Sequence, residues 1–107
     1  MKVLGVEATH KNSKRTLLQL VTEDIKQVNI YHAIKGAILG NHLHKATKEY
    51  FYIMRGTVIY NDVRIFNKGD FFLVEPDEKH KIECMNEVSF MTFLTKPYTA
   101  ADPDIHV

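Results

Sequence analysis

The stretch GAILGNHLHKATKEYFYIMRG, residues 36–56, decides how the rest of the chain is read. His42 and His44 stand two apart, and on an extended segment side chains i and i+2 share one face, which brings their Cβ atoms within about 7 Å. Two imidazoles so placed can share one ion. Glu49 opens an aromatic-rich run, Glu49 to Arg55, in which Phe51 and Ile53 have its parity, so the carboxylate points with the large apolar groups into the interior. An ionised carboxylate buried alone is prohibitively costly unless a metal, a cation or hydrogen bonds compensate it, or it takes up a proton. A divalent cation between Glu49 and the imidazoles would remove that cost. Gly36 and Gly56, which bound the stretch, and Gly69 beyond it are read as turn or bulge positions.

Outward from this stretch, the chain consists of short runs rich in Val, Ile, Tyr, Phe and Thr, and the class predicted is all-β, with at most a turn of helix near Val21 to Lys26. Thr16 to Val21 is apolar. Val28 to Ile34 alternates, with Val28, Ile30, His32 and Ile34 on a face read as buried and Asn29, Tyr31, Ala33 and Lys35 on the other. Asn61-Asp62, two residues that tolerate positive φ, separate Val58–Tyr60 from Val63–Phe66 and predict a hairpin. Asp70 to Val74, His80 to Met85 and Val88 to Leu94 bring the count to about eight strands, the spacing of a sandwich or barrel. Along His80 to Met85, Lys81 and Glu83 alternate with Ile82, which turns His80, Ile82 and Cys84 inward and adds a third imidazole to the interior. Residues 96–107 hold Pro97 and Pro103 and few apolar groups. They are read as a tail that frays or lies across a neighbour, and no chemistry is placed there.

At 107 residues the chain has room for one core, and 45% hydrophobic with 25% charged residues is the composition of a soluble globular domain. Fourteen Lys and Arg against thirteen Asp and Glu, scattered in sign, leave no electrostatic footprint for nucleic acid or an anionic membrane, so the expected partner is a small molecule. The lone Cys84 and the lack of an apolar leader in Met1 to Arg15 point to the reducing cytoplasm. Val88 to Thr95, the longest uncharged apolar run, falls far short of the roughly 20 residues of a membrane helix.

Three neutral imidazoles (His42, His44, His80) and one carboxylate (Glu49) form a borderline donor set. It suits one divalent transition metal, Mn, Fe, Co, Ni, Cu or Zn, rather than Mg or Ca. An octahedral ion so held keeps two open positions. On a redox-capable metal these admit dioxygen and a bidentate substrate, whereas Zn would act as a Lewis acid or a source of hydroxide.

The spacing glycine, five residues, His-x-His, four residues, glutamate, six residues, glycine resembles the first signature of the cupin superfamily. Gly36, His42, His44, Glu49 and Gly56 fill every fixed position of it. A second signature is looser: counted from Gly69, the histidine falls at His80, the proline is displaced by one to Pro76, Asp77 replaces a glycine, and Cys84 stands in place of asparagine. The resemblance implies a small single-domain cupin spanning residues 1–107, an RmlC-like jelly-roll β-barrel with a metal inside it, and a homodimer. It leaves the activity open, since cupins include dioxygenases, isomerases, epimerases, decarboxylases, sugar sensors and storage proteins. Gly-Asn-His-Leu-His-Lys followed by Glu-Tyr-Phe is similar to segments of nucleotide-sugar enzymes, although Ala37, Ile38 and Leu39 stand where many of those carry a basic residue.

Three functions follow as expectations. The first is metal-dependent oxidative or isomerising chemistry on a small oxygenated molecule, with His42, His44, Glu49 and His80 as ligands. The second is a non-catalytic module binding a sugar or small acid. The third is a metal-free sugar isomerase or epimerase with His42 or His44 as general base and a tyrosine as acid. His32 and Cys84 are further candidates for lining the pocket, each with a blander reading: a core histidine bonded to a backbone carbonyl, and a small buried hydrophobe. Tyr50 and Tyr52, of opposite parity to Glu49, are assigned to the outer side of the sheet.

Overall fold

The computed structural model describes residues 1–6 and 10–107. Its strands are β1 (Lys2–Leu4), β2 (His10–Lys11), β3 (Thr16–Leu17), β4 (Gln27–Ala33), β5 (Ile38–His42), β6 (Glu49–Arg55), β7 (Thr57–Tyr60), β8 (Arg64–Asn67), β9 (Phe71–Val74), β10 (His80–Cys84) and β11 (Val88–Leu94). They build a five-stranded sheet in the order β1-β9-β6-β11-β4, a four-stranded sheet in the order β5-β10-β7-β8, and the small pair β2-β3. All pairings are antiparallel, and the two larger sheets form the expected all-β jelly-roll barrel. Residues 21–26 are not helical, and among the described residues no helix is long and apolar enough to cross a membrane.

The core lies between the sheets and is aromatic. Phe51 of β6 stacks on Phe72 of β9 with ring centroids 4.9 Å apart, and Phe72 stacks on Phe66 of β8 at 4.1 Å. Phe90 of β11, Ile53, Val58 and Ile82 close the space around them, all nearly fully buried. The inward rows of β6 (Glu49, Phe51, Ile53) and β10 (His80, Ile82, Cys84) are those the alternation predicts. The β7–β8 hairpin turns through Asn61 and Asp62 at φ of 49° and 61°, and Val63, expected to open the second strand, completes a three-residue connection between the paired Tyr60 and Arg64. At Gly56 a Cβ would stand 2.3 Å from the Glu87 carbonyl oxygen, so the β6–β7 corner admits no side chain.

Two strand expectations need correction. The run from Thr16 to Val21 is extended and paired only at Thr16–Leu17. In β4 the expected faces are exchanged: Val28, Ile30 and Ile34 are 50%, 59% and 73% exposed, and His32 is exposed with them. The inward row is Gln27, Asn29, Tyr31 and Ala33, opposite Leu94, Thr92, Phe90 and Val88 of β11. The cause is the place of β4 in the sheet: it is an edge strand whose inner side faces a cavity rather than a packed layer, so polar groups suit its inner row.

Candidate active site: a three-histidine cluster in the barrel

His42 ends β5, and its aim depends on a bulge. His80 pairs with His42 while Lys81 pairs with Gly40, leaving Asn41 as an extra residue. Gly40 and Asn41 take φ of 82° and 67° there. A Cβ on Gly40 would lie 3.0 Å from the His80 carbonyl oxygen and 3.2 Å from its ring, so glycine at this position lets the two histidine strands close on one another. His44 follows in the turn beyond β5, and its carbonyl accepts a hydrogen bond from the Asp77 N–H at 2.6 Å. Asp77, at the position of the expected glycine, takes φ of 68°, so the residue departs from the pattern while the left-handed turn is kept.

The three rings meet one another, and two of them meet the Glu49 carboxylate. Ring centroids are 4.9 Å apart for His42 and His44, 4.7 Å for His42 and His80, and 5.2 Å for His44 and His80. One nitrogen from each ring falls within 4.8 Å of the others, an arrangement that could hold a metal ion. Glu49 Oε1 lies 3.2 Å from His44 Nε2 and 3.4 Å from His80 Nε2. His44, Glu49 and His80 are buried, and His42 is half-buried at the cavity wall. The four residues singled out from sequence are therefore brought together. His32 and Cys84 are not brought to them. His32 bonds the Ser89 hydroxyl at 2.7 Å on the outer side of the sheet, and Cys84 is a core side chain packed among apolar groups, its thiol pushed up by burial and then by Glu83.

Hydrogen-bond chemistry sets the state of the cluster. His44 Nδ1 sits 2.7 Å from the carbonyl oxygen of Asp104, which can only accept, so Nδ1 carries the proton. Nε2 then faces the Glu49 carboxylate, and the contact is favourable only if a proton or another cation lies between them. Burial alone would lower the His44 pKa, but the hydrogen bond with Glu49 and that with the Asp104 carbonyl outweigh it and raise it. For Glu49, burial would raise the pKa, yet hydrogen bonds from His44 and His80 hold it below the ordinary carboxylate value. His42 goes the other way, lowered by burial and then by the neighbouring His80 and His44. Three imidazole nitrogens within 4.8 Å of one another, two of them beside the Glu49 carboxylate, also match the donor chemistry of a divalent transition metal, so the residues fit such an ion.

The cluster forms one wall of a cavity of about 490 Å³. Leu39, Ile82, Phe90 and Leu94 make it largely apolar, while Gln27, Asn29, Tyr31 and Lys96 add polar groups. Tyr31 stacks on Phe90 with centroids 4.8 Å apart, and its pKa is raised by burial and then by the Glu49 charge. The sequence reading missed it because it assigned that face of β4 outward. Lys96 is engaged with Asp102 at 2.6 Å. Asp104 was missed as well, and no local motif announces it: it lies sixty residues from His44, in the segment to which no chemistry was assigned.

The cupin domain family matches residues 29–94, more than half of the chain, and the protein belongs to that family. No curated relative matches the chain. Among solved structures it is similar to a 3,4-ketoisomerase from Helicobacter canadensis, with a TM-score of 0.76 and 17% identity over 97% of this chain and 87% of that one. It is also similar to the QdtA 3,4-ketoisomerase from Thermoanaerobacterium thermosaccharolyticum, solved with TDP, at 0.72 and 16% over 97% and 86%. A third is the Legionella pneumophila epimerase RmlC in complex with dTDP-4-keto-L-rhamnose, at 0.72 and 13% over 92% and 68%. The chain spans about a third (34%) of the capsular polysaccharide assembling protein CapF from Staphylococcus aureus, which it matches with a TM-score of 0.67 and 18% identity over 95% of its own length. At these identities the likeness is one of fold.

Proposed function

We propose that the barrel is an isomerase- or epimerase-type enzyme that moves a proton α to the carbonyl of a small polyhydroxylated keto compound. The observation that carries this reading is the unlike setting of two adjacent rings at one cavity wall: His44 is hydrogen-bonded to both the Asp104 carbonyl and Glu49, which raise its pKa, whereas burial and the neighbouring imidazoles lower that of His42. His42 takes the proton as the substrate C–H bond breaks, and the electron pair moves to the carbonyl oxygen. That oxygen is stabilised by a hydrogen bond from a protonated group of the cluster or from Tyr31. Return of the proton to a neighbouring carbon, or to the opposite face, gives the isomer or epimer. All buried side-chain nitrogen and oxygen atoms among the described residues have partners, as a metal-free network requires. The names of the similar structures favour keto sugars as the substrate class. Among the described residues Lys96 is the one Lys or Arg at the cavity, and it is already paired with Asp102, which favours an uncharged sugar over a nucleotide-linked one.

The second reading keeps the same residues as ligands. His42, His44, Glu49 and His80 would hold one divalent transition metal, favoured by the fixed Nδ1–H of His44, which presents the Nε2 lone pair to the centre. When bound, such an ion supplies Lewis acidity or, if redox-active, dioxygen chemistry. Metal analysis of protein purified without added metal, repeated on His80→Ala, separates the two. Stoichiometric metal that disappears in the variant supports ligation, and its binding should weaken as pH falls through about 6.5, because ligating imidazoles must be unprotonated. Protein without metal that exchanges solvent deuterium into keto sugars supports the first reading, and oxygen uptake supports the second. No exchange, no oxygen uptake and tight sugar binding would instead identify a binding module. We further propose that the expected homodimer contact lies on the outer side of β4, an edge strand that among the described residues pairs only with β11 and carries exposed Val28 and Ile30. The buried thiol of Cys84 suits the reducing cytoplasm expected for the protein.

A further inference from the structure

The segment after β11 returns across the mouth of the barrel instead of leaving it. Pro103 and Ile105 line the cavity, and Leu43 and His106 exchange a pair of backbone hydrogen bonds at 2.8 and 2.9 Å. Between them Asp104 is 6% exposed and takes φ of 49°, a left-handed conformation uncommon for a residue with a side chain. Its carboxylate accepts hydrogen bonds from the Lys45, Ala46 and Thr47 N–H groups, each at 2.9 Å, and from the Thr47 hydroxyl at 2.8 Å. His106 Nε2 adds a contact at 3.1 Å. This side chain thus knots the C-terminal segment to the turn that follows His44. The carbonyl of the same residue meets His44 Nδ1.

We infer that Asp104 is a positioning residue for the cluster: its side chain anchors the segment so that its backbone carbonyl holds the His44 ring in the Nδ1–H form with Nε2 aimed at the reacting centre. The inference rests on the proposed use of His44, as acid or as ligand, and the device serves both. A ring nitrogen oriented by a carbonyl behind it is the arrangement that fixes tautomer and aim in histidines that do chemistry. The arrangement also reaches beyond stability, because the carboxylate's partners lie in the turn and in His106 of the same segment, while the carbonyl's partner lies in the cavity wall.

Long-range 1H–15N spectra of the histidine rings in the full-length protein test it directly. A slowly exchanging Nδ1 proton on His44 is expected in the wild type. In Asp104→Ala that proton should exchange at least about tenfold faster, and Co2+ added as a probe ion should bind about 10- to 100-fold more weakly, the usual effect of losing a partner behind a ligating histidine. Thr47→Val removes one bond to the same carboxylate and should lower stability without changing the His44 ring signals. If Asp104→Ala does not fold, Asp104→Asn, which retains the size of the side chain and one acceptor oxygen, is read in the same way with a smaller effect. A wild-type His44 protonated only on Nε2 overturns the inference. So does an unchanged His44 ring in a variant whose tail amides have become freely exchanging. A protected Nδ1 proton in a protein without turnover would sink the functional reading and leave the positioning role standing.

Discussion

Strands β6 and β4 lie two places apart in one sheet, and both alternate apolar with polar or aromatic side chains, yet their rows point in opposite senses. In β6 the row holding Phe51 and Ile53 is buried; in β4 the row holding Val28 and Ile30 is half exposed or more. Alternation gives the parity of a strand, but which parity faces inward depends on what the strand covers. β6 is flanked by β9 and β11 and covers the aromatic core, so its apolar row must go inside. Among the described residues β4 has a neighbour on one side only, and it covers the cavity, where Gln27, Asn29 and Tyr31 face the space a ligand would take.

The difference should be largest in stability. Phe51→Ala removes a ring stacked on Phe72 within the core, and a loss of about 3 to 5 kcal/mol is expected in urea unfolding. A loss under about 1 kcal/mol, the size usual for a surface position, would mean that the two strands do not differ in the way described. Tyr31→Phe, in the inward row of β4, should behave in the opposite manner. The ring keeps its stacking on Phe90, so stability should change by less than about 1 kcal/mol. Turnover of a keto sugar should fall about tenfold or more if the hydroxyl bonds the reacting oxygen. A large stability loss with unchanged turnover would make Tyr31 a packing residue rather than one that meets the substrate.

What could be read from the sequence follows the same division. His42, His44, Glu49 and His80 were legible because each sits on or beside a strand whose inward sense is set by large apolar neighbours: Phe51 and Ile53 for Glu49, Ile82 for His80. Their convergence then needed β5 and β10 to pair, which the Gly40–Asn41 bulge permits, and the two sheets to face one another, which brings Glu49 of β6 to the histidines. Tyr31 was hidden because the sense of an edge strand beside a cavity is set by the cavity, which no local pattern records. Asp104 was hidden for a different reason. Its bonds to residues 45–47 span nearly sixty positions, and neither a hydrophobic period nor a turn motif marks contacts at that range.

The outer row offers a subtler test. Ile30→Ala should alter the stability of the protomer by about 0.5 kcal/mol or less, as for other exposed positions. Ile30→Asp should leave the thermal midpoint near that of the wild type while shifting sedimentation towards the monomer, if a second copy covers this face. A wild type that sediments as a monomer at all concentrations would leave the exposed row of β4 without that explanation.

The smallest effect is expected on the outer side of β6, where the Tyr50 hydroxyl donates to the Glu23 carboxylate. Burial and then this hydrogen bond push its pKa from 10.0 up to about 12. A pKa raised by folding means that the folded state holds the proton more tightly than the unfolded chain. The contribution is therefore fully present below pH 10 and is lost as pH rises through about 12. Tyr50→Phe should flatten that part of the alkaline stability profile and leave stability at neutral pH little changed, because the bond is near the surface and screened. An undiminished alkaline slope in Tyr50→Phe would assign the proton to another group. A large loss at pH 7 would show that the outer row of β6 is as heavily used as the inner one, and the contrast between the two faces of this strand would disappear.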